Sequence, residues 1–164
     1  MVDASGRWYI DGIDLWIAFG MIIEKGSSDL LALPPKKGSI THDWMDSNGL
    51  DVDLARVFFS EREIPLQLGI LASSEEDYWE KRSAFFSQIT QPGLHRLEIK
   101  AHGERSYYFY YKETNNYSQV TKLKGLPEDR QIGHKFTVVI VEPEPSIDAS
   151  TEFIIDEDGR FLVT

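Results

Sequence analysis

Between residues 52 and 112 the chain spells out an order of elements that few architectures satisfy. Residues 52–59 and 64–72 are rich in β-branched and apolar side chains and read as strands, with the polar turn Ser60-Glu61-Arg62-Glu63 between them. Ser73 then opens a helix that Pro92-Gly93 closes, and residues 94–101 and 106–112 form a hairpin around His102-Gly103-Glu104-Arg105. A sheet and a helix bury their apolar faces against each other. The expectation is a mainly β, α+β fold: an antiparallel β-sandwich or split barrel with one flanking helix at about residues 74–90.

The helix carries its own start signal. Ser73 followed by Glu76 is a capping box, and Glu75, Glu76 and Asp77 place negative charge at the positive end of the helix dipole. Tyr78, Trp79, Arg82, Phe85, Phe86 and Ile89 recur at helical spacing as one stripe, expected to lie on the sheet. Trp79 and Phe86 are the positions where truncation is expected to cost most.

Upstream, Asp11-Gly12 separates the apolar runs 7–10 and 13–17, a strong two-residue hairpin signal, and residues 19–24 suggest a further strand. Residues 25–50 lose periodicity under repeated Gly, Pro, Ser and Asn. A loop this long usually has a function or a partner, and Trp44 and Met45 within it are candidate interface anchors. Downstream, residues 106–111 are aromatic on both strand faces, so Tyr108 and Tyr110 are expected to meet a helix, an arm or another subunit. Residues 117–123 and 135–141 read as two more strands. The expected organisation is a β domain over 1–141, a Pro-rich linker over 142–151 and a C-terminal hairpin arm over 152–164. Such an arm is too small to bury its own apolar side chains, so Phe153, Ile155, Phe161 and Val163 should dock elsewhere.

Composition removes several function classes. The chain has 27 acidic residues against 17 basic, a net charge of −10, and only short basic clusters at 36–37 and 122–124. Specific nucleic-acid binding needs clustered Lys and Arg and is not expected. No cysteine is present, which removes disulfides, thiolate metal sites and a cysteine nucleophile. Neither a signal peptide nor a membrane-length apolar run is apparent, so synthesis in the cytoplasm is expected. His42, His95, His102 and His134 show no metal-ligand spacing and read as exposed or loop residues. Asp156-Glu157-Asp158-Gly159 resembles the opening of an EF-hand loop but lacks its later ligands, and reads as a hairpin turn. No nucleophile elbow, Walker loop or dinucleotide fingerprint occurs. No enzymatic activity, cofactor or metal is expected.

With these residues assembled, the chain resembles the distal tail proteins of long-tailed bacteriophages and, more broadly, the phage tail-tube and baseplate structural family. The features that carry the resemblance are Tyr9-Ile10-Asp11-Gly12-Ile13-Asp14, Phe19-Gly20, Arg62-Glu63-Ile64-Pro65-Leu66, the Trp79-Glu80-Lys81-Arg82 helix, Pro92-Gly93-Leu94-His95-Arg96-Leu97 and the strand over 107–111. They span about residues 7–141. The resemblance implies a tail-tube-like domain that forms a hexameric ring, joins the tail tube to the tip or baseplate, and resides in the virion or prophage tail after synthesis in the host. Partners would be the chain itself and other tail proteins, and DNA would pass through an acidic lumen without binding. The loop over 25–50 exceeds what the family core needs. The carbohydrate-binding-like second domain of many distal tail proteins has no counterpart in these residues.

Two other readings compete. A carbohydrate- or peptide-binding module would use Trp8, Trp16, Trp44 and residues 107–111 as a stacking platform. A small hydrolase would use Asp43, Asp46 or Asp53.

Overall fold

A computed structural model describes residues 3–43, 45, 48–49, 51–52, 57–124, 130–145, 154–155 and 161–162. The strands are β1 (Trp8–Ile10), β2 (Ile13–Asp14), β3 (Met21–Lys25), β4 (Thr41–His42), β5 (Asp51–Val52), β6 (Arg62–Ala72), β7 (His95–Ile99), β8 (Ser106–Gln119), β9 (Ile132–Glu142), β10 (Ile154–Ile155) and β11 (Phe161–Leu162). The helices are α1 (Leu15–Phe19) and α2 (Glu75–Ile89). Seven strands form one sheet in the order β2-β1-β7-β8-β9-β6-β3, and every pairing in it is antiparallel. The fold is therefore mainly β with one long helix.

The sheet is strongly curved. Ile10 of β1 and Ile23 of β3 belong to opposite ends of the strand order, yet both line the same cavity of about 10 Å³, with Leu15 of α1 and Phe85 and Ile89 of α2. Both helices thus sit within the concave side and complete a half-barrel core. Strand β6 alternates, with Ile64, Leu66, Leu68 and Ile70 facing that core. Strand β9 lies between β8 and β6 and is buried on both faces from Phe136 to Glu142, which explains its near-continuous run of β-branched residues.

The Asp11-Gly12 hairpin forms with both central residues at positive φ, 53° and 82°, the conformation that matches strand twist. The second strand is short, however, because Asp14 caps a helix. Its Oδ1 accepts from the amides of Trp16 and Ile17 at 2.8 and 3.1 Å. Leu15 and Phe19, four apart, point inward where alternation suggested a strand over 13–17. Gly20 ends α1 at φ 59°, and a Cβ there would stand 2.4 Å from the Leu71 carbonyl oxygen.

Three further expectations need correction. Residues 53–56 lie outside the described residues, and the described residues of 52–59 do not pair with β6: Asp51–Val52 pairs with Thr41–His42 in a separate ribbon, and Phe59 makes one bridge to Lys36. The partners of β6 are β3 and β9, both remote in sequence. Residues 117–119 belong to β8, which continues past Tyr111 through two register shifts, with Asn116 at φ 51°. The helix cap is one residue later than read: Ser74 Oγ accepts from Asp77 N at 3.2 Å, and Asp77 Oδ2 accepts from Ser73 N at 2.8 Å. The run Ser-Ser-Glu-Glu-Asp satisfies the capping pattern in either register, and geometry selects the second.

Within α2, Tyr78, Phe85 and Ile89 are buried and Phe86 is partly buried against the core, but Trp79 is 46% exposed. The buried stripe centres on positions 78, 85 and 89, so position 79 falls at its margin. The core beneath is already filled by Phe85 and Phe136, whose ring centroids lie 6.4 Å apart.

Candidate interaction surface

The convex face of the sheet carries the residues that the core leaves over. Tyr107 and Phe109 of β8 are buried, whereas Tyr108 and Tyr110 between them are 53% and 43% exposed on the opposite face. Arg96 pairs with Tyr108 across β7–β8, and Tyr110 pairs with Val141 across β8–β9. Tyr9 lies opposite Glu98 on the same face. Charged residues frame this aromatic row: Glu98 bridges Arg96 and Lys100 at 2.9 and 3.3 Å, and Lys112 pairs with Glu63 at 2.6 Å. Its Glu63 bond is the main reason the Lys112 ammonium is held above its ordinary range. An aromatic centre with a charged rim is the composition of a protein contact surface.

Other expected interface residues fall elsewhere. Met45 is fully exposed in the loop, and Trp44 lies outside the described residues. Ile155 and Phe161 pair across β10–β11, while Phe153 and Val163 lie outside the described residues. The structure thus brings Tyr108 and Tyr110 together on one strand face.

The proposed stacking platform does not assemble as read. Tyr107 is buried, Tyr111 packs against the core, and Trp8 is partly buried beneath Arg7, 6.0 Å from its ring centroid. Of residues 107–111, only Tyr108 and Tyr110 present open rings. Among the candidate acids, Asp43 is exposed, and Asp46 and Asp53 lie outside the described residues. Among the described residues no group of three or more His, Cys, Asp or Glu side chains is arranged to hold a metal ion.

Two histidines are structural and buried, contrary to the sequence reading. His95 Nδ1 lies 2.8 Å from Asp11 Oδ2, and its Nε2 lies 3.1 Å from the Gln91 carbonyl oxygen. Asp11 also accepts from Gln88 Nε2 and Arg96 N, both at 2.8 Å. Desolvation pushes the Asp11 carboxyl upward, but the Arg96 amide, His95 and Gln88 together outweigh it and hold the group below its ordinary range. One carboxylate therefore ties the first hairpin to α2 and β7. At the other end of α2, the Tyr78 and Tyr117 hydroxyls meet at 2.5 Å and Tyr117 bonds to His134 Nδ1. His134 Nε2 lies 3.0 Å from the Thr121 carbonyl oxygen and must donate to it, so Nδ1 accepts from Tyr117 when the ring is neutral. Burial and the Tyr117 bond raise the Tyr78 phenol well above its ordinary range. Neither histidine was marked by sequence, because their partners lie 84 and 17 residues away.

A third polar centre closes the end of the barrel. Arg62, at the start of β6, and Glu142, at the end of β9, form a buried ion pair with Nε–Oε2 and Nη2–Oε2 at 3.0 and 2.5 Å. Arg62 Nη1 donates to the carbonyls of Ala32 at 2.5 Å and Asp29 at 3.4 Å, which anchors the start of the long loop.

No protein-family model matches this sequence, and no curated protein matches it. Among solved structures the chain is similar to Dit (gp 19.1) of phage SPP1, described as a paradigm of the hub adsorption apparatus in phages infecting Gram-positive bacteria. The TM-score is 0.62 at 13% sequence identity, over 85% of this chain and 50% of that one. The chain thus spans about half the length of that protein, and the likeness is one of fold.

Proposed function

We propose that this chain is a structural component of a phage or prophage tail, a ring-forming adaptor between the tail tube and the tip or baseplate. The observation that carries this reading is the fold likeness to a phage hub protein over 85% of the chain. The convex sheet face supports it, since Tyr108 and Tyr110 stay exposed in the monomer within a charged rim. In this reading the face is covered by a neighbouring subunit, the ring is hexameric, and the role is assembly without catalysis. The protein is made in the host cytoplasm and ends in the virion tail. Its net charge of −10, multiplied around a ring, would repel phosphates and let DNA slide through the lumen.

Electron microscopy of the concentrated chain tests this. Rings are expected for the parent protein, and Tyr108→Asp with Tyr110→Asp should abolish them while the melting curve stays nearly unchanged. Rings that persist in the double variant would remove this face from the interface. A second reading, a carbohydrate- or peptide-binding module, keeps one specific support: two open tyrosine rings two residues apart on one strand face. Tyrosine fluorescence that responds to glycans, in a chain that stays monomeric, would favour it.

A further inference from the structure

Two glycines stand where the backbone does not require them. Gly69 of β6 and Gly133 of β9 lie inside long strands, and neither is held at positive φ. The β6–β9 register runs unbroken through both, so neither marks a bulge between these strands. Glycine weakens a strand interior, and its remaining use there is to let another group approach the backbone closely. Both glycines line one open cavity of about 160 Å³, walled by Ile22, Leu71 and Val120. Lys135 and Glu24, also in its lining, pair at 2.8 Å. A Cβ at Gly69 would stand 3.3 Å from Ile22 Cγ1 and 3.4 Å from Glu24 Oε1, and one at Gly133 would stand 3.5 Å from Leu71 Cδ2. Any side chain at these positions would occupy the space the cavity now offers.

The lining specifies the occupant. An apolar cavity of about 150 Å³ takes a ring the size of benzene, and an aromatic ring laid over strand glycines restores the packing they lack. The Glu24 carboxylate has lone pairs to spare beside Lys135, so the fitting ring carries a hydrogen-bond donor. Such a ring lies on the same convex face. Positions 133, 135 and 141 of β9 share that face, and Tyr110 stands opposite Val141. Of the two open tyrosines Tyr108 is the more exposed, and among the described residues its hydroxyl has no hydrogen-bond partner. Arg96, opposite Tyr108, brings positive charge towards a carboxylate rim.

We propose that Tyr108 of one copy seats in the Gly69–Gly133 cavity of a second copy. The ring lies over the glycine backbone, and its hydroxyl donates to Glu24. A copy cannot fill its own cavity. Ser118 pairs with Lys135 beside the cavity, ten residues along β8 from Tyr108, which is roughly 30 Å at ~3.3 Å per residue. The contact joins two different patches, so each copy keeps one knob and one cavity free for further copies. Head-to-tail contacts of this kind close into a ring when the rotation permits. This inference rests on the self-assembly proposed above and names the surfaces that would carry it.

The absence of cysteine makes the test direct. One population carries Ser106→Cys, two residues from Tyr108 on its strand face, and a second carries Ser118→Cys beside the cavity. The mixture is treated with a short bismaleimide. A cross-link between the two chains is expected in good yield. It should fall at least ten-fold when Tyr108→Ala is added to the first chain, or when Gly133→Val is added to the second. The same two changes placed on the opposite chains should leave it intact, because each copy uses its knob and its cavity in different contacts. Gly133→Val should melt no lower than the parent, since valine suits a strand and the cavity has room for it. Tyr108→Ala alters an exposed ring only, so loss of the fold cannot account for both effects. Yield unaffected by Gly133→Val on the second chain would overturn the proposal. So would equal loss from either placement, which marks a contact between like patches. Oligomers in light scattering without the mixed cross-link would refute this contact alone, whereas a monomer at all concentrations would refute the assembly reading as well.

Discussion

Replacing Arg62 by alanine should be among the most damaging single changes on this chain. Arg62 and Glu142 are 7% and 2% exposed, so the change would strand a carboxylate in the core with nothing to compensate it. Breaking a buried pair from one side costs about 3–5 kcal/mol. The Asp29 and Ala32 carbonyls lose their donor at the same time, which loosens the start of the long loop. For a chain of this length each kcal/mol lowers the melting temperature by about 2–4 °C, so a drop of roughly 6–20 °C is expected. Removing both charges together, as Arg62→Met with Glu142→Leu, should recover most of the loss, because well-packed apolar side chains often replace a buried pair at little cost. Urea unfolding of the two single variants and the double variant yields the coupling energy directly. A cost below about 1 kcal/mol for Arg62→Ala, or a double variant no better than the single, would refute the reasoning.

Phe85→Ala should cost about 3–5 kcal/mol, and Trp79→Ala only about 1 kcal/mol, since the first ring is buried and the second half exposed; chemical denaturation of both variants checks the order. Asp11→Asn keeps the turn, since asparagine tolerates positive φ, but loses the charge that the Arg96 amide and His95 favour. Because the folded-state carboxyl lies below its ordinary value of 3.8, its contribution is full above that value and disappears as pH falls through the folded one. The variant should therefore lose about 1–2 kcal/mol at neutral pH and show a shallower acid limb below about pH 4. Parallel acid limbs for parent and variant would contradict this. Gly20→Ala forces a side chain against the Leu71 carbonyl at a left-handed φ and should cost more than about 1 kcal/mol, read from thermal melts.

Local signals were the part of the fold open to sequence reading. The Asp11-Gly12 turn, the capped helix and the β7–β8 hairpin each rest on residues within a few positions of one another, and they set the fold class. Strand order was not open in this way. The neighbours of β6 come from residues 21–25 and 132–142, and no local pattern encodes that pairing; the sequence shows only a second β-rich run, residues 52–59, across a polar turn from it. The apolar run Leu15-Trp16-Ile17 could serve a strand or a helix, and the Asp14 cap decided for the helix. Alternation within β8 correctly separates two faces at Tyr108 and Tyr110, but which face is open depends on the side that α2 occupies. The Asp11, His134 and Arg62 centres are long-range polar clusters assembled by tertiary structure, and sequence spacing carries no trace of them.

Mass in solution at rising protein concentration, by light scattering after size exclusion, tests the central claim most directly. The proposed adaptor role predicts a closed ring of about six copies at high concentration, lost when Tyr108 and Tyr110 become aspartate. A mass of 18.8 kDa, that of one chain, at every concentration and in mixtures with phage tail proteins would contradict it.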